Sequence, residues 1–198
     1  MGGWALGILV IYAALTIGLR ALIQRQRTGS YGMNGMRANA SAAERCAGVL
    51  LALAVVAGVA GCLVDTLHLV GSKPWPTRRV GLTVSLVGIV ATFLAQLAMG
   101  DSWRIGVNHE ERTTLVTGGP YGHVRNPIYT AMLVTTLGVA SMVPNGLTCL
   151  AFVLMLAGLE VQVRLVEEPY LAQRHGESFR AYTKTVGRFL PGIGRGAR

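Results

Sequence analysis

The segment IYTAMLVTTLGVASMVPNGLTCLAFVLMLAGLEVQV, residues 128–163, decides the fold of this chain. Two apolar runs, 128–143 and 147–163, flank the sequence Pro-Asn-Gly at 144–146, a combination typical of a tight turn. Each run approaches the roughly 20 apolar residues that a helix needs to cross about 30 Å of hydrocarbon. The segment therefore predicts a hairpin of two membrane helices whose outer ends lie on the same side of the bilayer.

Three further apolar runs precede the hairpin, from about Trp4 to Ile23, Cys46 to Val70 and Val80 to Met99. The first has no basic start and no small-residue cleavage site, so we expect a retained anchor and not a signal peptide. The pattern predicts an all-α, polytopic membrane protein with about five transmembrane helices.

A change of composition after Gly100 divides the chain. The polar stretch DSWRIGVNHEERTTLVTGGPYGHVRNP, residues 101–127, is unsuited to a bilayer core, and the tail from Arg164 onward is charged and amphipathic. We expect an N-terminal three-helix membrane region over residues 1–99. A second region over 100–198 then contains the polar loop, the hairpin and a cytosolic tail helix.

The composition favours a bilayer over water as the surroundings of this protein. The 198 residues are 52% hydrophobic and only 14% charged, which is too little polar surface for a water-soluble globule of this size. The net charge of +9 comes from basic residues between and after apolar runs, so it does not indicate nucleic-acid binding. The three cysteines, Cys46, Cys62 and Cys149, form no motif for zinc or a disulfide framework, and we expect no metal site.

Three charged or titratable residues lie within the predicted spans. Arg20 is near the end of the first run, where we expect its side chain to reach the interface. Asp65 and His68 are three residues apart on one face of the second span, which is compatible with a metal or proton site. We favour an interfacial Asp65–His68 pair over either site.

Two polar clusters lie at the outer ends of the hairpin. One is GGPYGHVRNPIY at 118–129, and the other contains Arg164, Glu167 and Glu168. Because a hairpin returns to its starting side, the clusters can converge. The i, i+3 and i, i+4 spacings place Arg164 and the two glutamates on one α-helical face, either as a site or as an interfacial ion pair.

The run GPYGHVRNPIY, followed by RLVEEPYLAQRHGESFRAY and VGRFLP, resembles the isoprenylcysteine carboxyl methyltransferase and phospholipid methyltransferase superfamily of membrane enzymes. The usual pattern there is Gly-x-Tyr, then Arg-His-Pro-x-Tyr, then Glu-Glu-x-x-Leu. The resemblance covers about residues 100–191. It implies a pocket for S-adenosylmethionine formed by the hairpin, the preceding loop and the tail.

The resemblance also implies roles for individual residues. Arg125 and Arg164 would bind carboxylate groups, and Glu167 or Glu168 the cofactor's ammonium; these pairings suit the chemistry of the groups. Arg125, Arg164, Glu167 and Tyr129 are thus the expected catalytic residues. The expected cofactor-binding residues are Gly119, Tyr121, His123, Asn126, Tyr129, Glu167 and Glu168.

One position departs from the resembled pattern. Family members usually carry histidine where this chain has Asn126, and an amide forms hydrogen bonds but does not titrate near neutral pH. His123, three residues earlier, is the alternative titratable group. The departure affects the transfer of proton chemistry and leaves the expected fold unchanged.

The expected activity is methyl transfer to a lipophilic or small acceptor at the cytoplasmic membrane face. A carboxylate or thiolate acceptor needs no general base, whereas an amine or thiol must lose a proton, with Glu167, Glu168 or Tyr129 assisting. We expect an acceptor to enter from the lipid between the third and fourth spans. The alternatives are an NADPH-dependent membrane reductase of the sterol reductase type and a non-enzymatic membrane scaffold.

The distribution of basic residues predicts the orientation in the membrane. With five spans and the N-terminus outside, all of the 18 lysines and arginines except Lys73, Arg78 and Arg79 lie on the cytoplasmic side. We therefore expect a C-terminal green fluorescent protein fusion to fluoresce and a C-terminal alkaline phosphatase fusion to be inactive. An active phosphatase fusion with a dark fluorescent fusion would reverse this orientation and place the tail outside.

Overall fold

The computed structural model describes residues 1–33, 40–69, 78–106 and 114–196. Residues 70–77, which connect the second and third predicted spans, and the middle of the polar stretch, 107–113, lie outside these residues. Within them the secondary structure is helical, with only isolated β-bridges besides. The helices are α1 (Gly2–Thr28), α2 (Ala42–Thr66), α3 (Arg78–Ala98), α4 (Pro127–Met142), α5 (Gly146–Val161) and α6 (Glu168–Thr185).

The predicted fold class is confirmed. Helices α1, α2 and α3, and the continuous helical segment Gly146–Thr185, are long and apolar enough to cross a membrane, and α4 is a shorter apolar helix. The expected hairpin is α4 and α5. Its turn is fixed by Asn145, whose side chain accepts a hydrogen bond from the Thr148 amide over 3.0 Å while Thr148 caps the Asn145 amide in return.

Helices α3 and α4 pack with their backbones almost in contact. Gly81, Ser85 and Gly88 on α3 face Gly138 and Thr135 on α4. A methyl group on Gly81 would lie 2.6 Å from the Gly138 carbonyl oxygen, so no larger residue fits. Small residues at such spacings are how helices approach closely in a bilayer. This contact does not agree with the expected entry of an acceptor between these two spans.

Helix α5 packs in the same manner against α2. A methyl group on Gly61 would meet Thr148 at 2.7 Å, and the Asn145 side-chain amide donates to the Gly61 carbonyl over 2.9 Å. Near the other end of α5, a methyl group on Gly158 would lie 2.9 Å from Leu51. The hairpin is therefore held between α2 and α3.

Arg20 does not reach the interface as expected, because its side chain is fully buried at the end of α3. The guanidinium donates to the carbonyls of Gln96 (3.4 Å) and Gly100 (2.6 Å) and lies 4.5 Å from the Trp103 ring centroid. Carbonyls at a helix C-terminus lack intrahelical partners and carry partial negative charge. The Arg20 guanidinium therefore binds them where water would otherwise do so.

Asp65 has other partners than the expected His68. Its carboxylate accepts a hydrogen bond from the Gly2 amide over 2.7 Å and lies 3.7 Å from Arg78. His68 is exposed, at a positive φ of 55°, just after α2. No group of three or more metal-ligating side chains occurs in the part of the chain that the structure describes. Asp65 thus joins the ends of α1, α2 and α3.

Substitution of Gly138 by alanine tests the α3–α4 contact. The new methyl group would lie 2.5 Å from the Ser85 amide nitrogen, so we expect overpacking to lower the free energy of unfolding by about 1–3 kcal/mol. Thermal melting in detergent measures the loss. Gly7→Ala is the matched control, because a methyl group there meets no atom within 4 Å. Equal melting temperatures for the two variants would contradict the close contact.

Candidate functional site

A cavity of about 610 Å³ lies at the end of the bundle where α1, α3 and α5 finish and α2 and α4 begin. All five helices line it, through residues such as Thr16, Leu51, Gln96, Tyr129 and Leu159 in that order. The connection after α3 and the first turn of α6 complete the wall. Residues from both halves of the chain therefore line the cavity.

Tyr129 and Glu167 meet in this cavity, where the tyrosine hydroxyl donates a hydrogen bond to the carboxylate. The Gln162 side-chain amide donates to the same carboxylate over 3.2 Å. Residues five apart lie about 140° from each other around an α-helix, but Gln162–Glu167 is a π-helical turn with i to i+5 geometry. The π turn therefore brings Gln162 next to Glu167 and directs both into the cavity.

Arg164 lies outside the cavity, although it belongs to the same π turn. Its side chain is 56% exposed and pairs with Glu160. The expected grouping of Arg164 with Glu167 on one face assumed α-helical spacing, and the π turn separates the two. The structure does not bring Arg164 to Arg125, and its carboxylate-binding role stays a prediction.

Arg125 lines the cavity and also holds the C-terminal tail. Its guanidinium donates to the carbonyls of Val186 (2.6 Å), Gly194 (3.0 Å) and Thr183 (3.4 Å), and to Glu168 (2.6 Å). The Arg125 side chain is almost completely buried. Its position is thus determined by backbone carbonyls of the tail as much as by an acidic partner.

Glu168 is held between two arginines. Arg188 donates to its two carboxylate oxygens over 2.9 and 2.7 Å, and Arg125 donates to one of them, Oε1, over 2.6 Å. The hydrogen bond to Glu168 raises the pKa of Arg188 above its ordinary value. The Glu168 carboxylate is therefore neutralised within the protein, and it does not line the cavity.

Asn126 and Tyr121 both line the cavity and also hold its surroundings in place. The Asn126 side-chain amide donates to the Arg188 carbonyl over 3.2 Å. The Tyr121 hydroxyl lies 3.4 Å from the Ala95 carbonyl, and the Tyr121 carbonyl accepts from the Tyr182 hydroxyl over 2.6 Å. Burial, together with the charge of Glu167, raises the pKa of Tyr121, so the phenol stays protonated near neutral pH.

Gly119 and His123 lie in the exposed turn before α4 and do not line the cavity. The His123 ring nitrogen Nδ1 is 3.3 Å from the Gly119 carbonyl oxygen. The two residues thus contact each other at the surface, and their predicted cofactor contacts stay predictions.

The sequence did not single out three residues that the structure places at the site. Gln162 is five residues before Glu167, a spacing that indicates contact only in a π turn. Arg188 lies within the tail segment VGRFLP, whose partners are about 60 residues away in sequence. Arg104 lines the cavity from the connection after α3, among polar residues that sequence alone does not rank.

The fold and the cavity together define a class of protein. Apolar helices surround a cavity whose volume is within the range of about 300–1,000 Å³ that small-molecule sites occupy. This is an integral membrane protein with a ligand-sized site at one end of its helices.

The sequence profile of the family described as "Phospholipid methyltransferase" matches residues 77–178, just over half of the chain. The chain belongs to this family. A probable protein-S-isoprenylcysteine O-methyltransferase from Oryza sativa subsp. indica is 31% identical over 121 residues, covering 60% of this chain and 63% of the relative. Protein-S-isoprenylcysteine O-methyltransferase B from Arabidopsis thaliana is 28% identical over 143 residues, covering 71% and 73%.

The fold is also similar to a solved structure, that of the eukaryotic intramembrane Ras methyltransferase ICMT (isoprenylcysteine carboxyl methyltransferase). The TM-score is 0.62 with 20% sequence identity, over 97% of this chain and 66% of the other. The similarity confirms the membrane fold expected from the hairpin and its flanking spans.

Substitution of Arg125 by lysine tests its hold on the tail. An ammonium group cannot reach the four acceptors that the planar guanidinium bonds, so we expect a loss of about 1.5–3 kcal/mol in unfolding free energy. Amide hydrogen exchange within 183–194 should also become faster. Arg180→Lys, on the exposed face of α6, is the control. Unchanged melting and exchange combined with weaker ligand binding would instead make Arg125 a ligand-binding residue.

Proposed function

We propose that this protein is an integral membrane methyltransferase that uses S-adenosylmethionine to methylate a lipophilic acceptor. The observation that carries the proposal is that Glu167 lines the cavity without an ion pair to any described arginine or lysine. Its carboxylate accepts hydrogen bonds from Tyr129 and Gln162. A half-buried carboxylate without an ion-pair partner among the described residues is suited to bind a cationic ligand.

The residues of the cavity fit this methyl donor. Glu167 is available for its ammonium group, whereas Glu168 is already bound by Arg125 and Arg188. This difference supports Glu167 and not Glu168 as the ammonium-binding residue. The amide of Asn126 and the hydroxyl groups of Ser102 and Thr114 add polar contacts to the same wall.

The chemistry requires placement and exclusion of water more than reactive side chains. When bound, S-adenosylmethionine would supply a methyl group on a sulfonium: the acceptor would bond to the methyl carbon as the carbon–sulfur bond breaks, and S-adenosylhomocysteine would leave as a neutral thioether. Leu51, Met155 and Leu159 form an apolar wall that keeps water from the reacting groups. Glu167 fixes the charged end of the donor. Orientation and desolvation of this kind provide most of the rate enhancement for such a displacement.

The proton balance depends on the acceptor. A carboxylate acceptor is already ionised and transfers no proton. An amine, thiol or hydroxyl acceptor releases one, and the Glu167 carboxylate can take it while the Tyr129 hydroxyl stays hydrogen-bonded to it. The same pair of Glu167 and Tyr129 is therefore compatible with an acceptor that is already ionised and with one that releases a proton.

The acceptor has a route from the lipid between α1 and α2. Ile17 and Val55 line the cavity and are also exposed on the outer surface, by 41% and 58%. Most of the contact between these two helices is made by the first half of α1, Gly2–Ala13, so the two are packed less closely around Ile17. The helices therefore leave an apolar opening through which a hydrocarbon chain can enter.

A lipid-attached carboxylate is the acceptor class that we favour. The names of the rice and Arabidopsis relatives specify isoprenylcysteine, and an apolar opening beside a polar site suits a prenyl chain that carries a carboxyl group. We place the site on the cytoplasmic side, in agreement with the distribution of basic residues.

Binding of S-adenosylhomocysteine tests the proposal. A ligand that binds only the folded state at 100 times its Kd adds about 2.7 kcal/mol of stability, so the detergent-solubilised protein should melt at a higher temperature. Glu167→Gln keeps the shape but removes the charge, and should weaken binding by about 30-fold or more. Glu177→Gln, on the exposed face of α6, is the matched control.

Two results would contradict the proposed function. Stabilisation by NADPH without any effect of the nucleoside would indicate the reductase alternative. The absence of a shift with either ligand, at concentrations that saturate other methyltransferases, would favour a scaffold.

A further inference from the structure

The connection after α3 contains an arginine, Arg104, whose side chain lines the cavity. Trp103 is buried, Arg104 is half-buried and lines the cavity, and the backbone is extended at Trp103. Arg104 therefore reaches the same space as Glu167, from an element outside the motifs that indicated the family.

The backbone on both sides of Arg104 is firmly held. Trp103 packs on the guanidinium of the fully buried Arg20, which donates to the carbonyls of Gln96 and Gly100 at the end of α3. The Ile105 amide donates to the Gly32 carbonyl over 2.7 Å, next to an isolated bridge with Met33. Because both neighbours are anchored, little backbone entropy is lost when the Arg104 side chain binds a ligand.

Arg104 and Glu167 place opposite charges at the wall of the same cavity. The positive charge of Arg104 acts on the Glu167 carboxylate, and both residues line the cavity. Such an arrangement presents a cationic and an anionic group to one ligand. An α-amino acid, with its ammonium and carboxylate close together, has the complementary charges.

The two arginines that the family resemblance suggested for carboxylate binding do not face Glu167. Arg125 is bonded to the tail and to Glu168, and Arg164 lies outside the cavity. A guanidinium has five N–H donors, so Arg104 can bind a carboxylate in addition to its contacts within the protein.

We propose that Arg104 binds a carboxylate group of a ligand in this cavity, opposite the ammonium site at Glu167. The inference rests on the proposed function and adds a positioning residue to it. The carboxylate can come from the amino acid end of the methyl donor or from the acceptor. The donor brings the ammonium and the carboxylate together on one carbon, which matches the opposed pair most directly.

The experiment compares two nucleosides with the full-length protein in detergent. S-adenosylhomocysteine carries the amino acid end, and 5′-methylthioadenosine lacks it. We expect Arg104→Gln to weaken binding of S-adenosylhomocysteine by about 30-fold or more, as for a lost charged contact, and to leave binding of 5′-methylthioadenosine unchanged. Arg104→Lys should give an intermediate loss, because lysine keeps the charge without the two-point contact.

The control variant is Arg180→Gln, which removes an exposed arginine from the same chain. Unchanged binding of 5′-methylthioadenosine to Arg104→Gln also shows that the variant is folded. A second arm measures the KM of a prenylated cysteine with a free carboxyl group. A raised KM with unchanged affinity for both nucleosides would assign the bound carboxylate to the acceptor.

The outcomes separate this inference from the function on which it rests. If the unsubstituted protein binds neither nucleoside, both are overturned. If it binds S-adenosylhomocysteine, and Arg104→Gln changes neither nucleoside affinity nor acceptor KM, the proposed function stands and the role of Arg104 is overturned.

Discussion

Hydrocarbon offers no hydrogen-bond partner to a polar group, and this constraint determines where each part of the protein lies. Two buried polar side chains donate to backbone carbonyls: Gln96 donates to Thr16, and Arg20 donates to Gln96 and Gly100 at the end of α3. The ionic groups around Glu168 and the cavity all lie at one end of the bundle. The proposed methyl donor is charged and the proposed acceptor chain is apolar, and the two can meet at such a boundary, so the location of the site agrees with the solvent properties of the membrane.

The π turn at Gln162–Glu167 directs polar side chains into the cavity. It lies where α5 passes into α6, and it rotates the following residues relative to a continuous α-helix. Glu167 consequently faces the cavity while Glu168 faces Arg125 and Arg188. Two adjacent glutamates with the same chemistry thus have different environments: one is neutralised by arginines, and the other is free of ion pairs among the described residues. The backbone, and not the residue type, distinguishes them.

The sequence predicted the parts that depend on local pattern. Hydropathy located the spans, and the turn at Asn145 located the hairpin, because each depends on residues close in sequence. The convergence of the two motif clusters was also predictable from the hairpin. The partners of Arg125 could not be predicted. The carbonyls of Val186 and Gly194 are about 60 to 70 residues away, and every residue has a carbonyl, so the sequence does not distinguish those that bind Arg125. The π turn was equally hidden, because its hydrophobic spacing does not differ visibly from that of an α-helix over six residues.

The replacement of the usual family histidine by Asn126 can now be interpreted from its contacts. The Asn126 backbone and side-chain amides both donate to the Arg188 carbonyl, at 3.1 and 3.2 Å. With Arg125, whose amide donates to Gly187, this forms a short extended pairing between the start of α4 and the tail. Such a contact requires an N–H donor at position 126 but no titratable group, and an asparagine amide supplies it as well as a neutral imidazole would. The departure therefore preserves the attachment of the tail, and under the proposed function Glu167 and Tyr129 remain available for acid–base chemistry in the cavity.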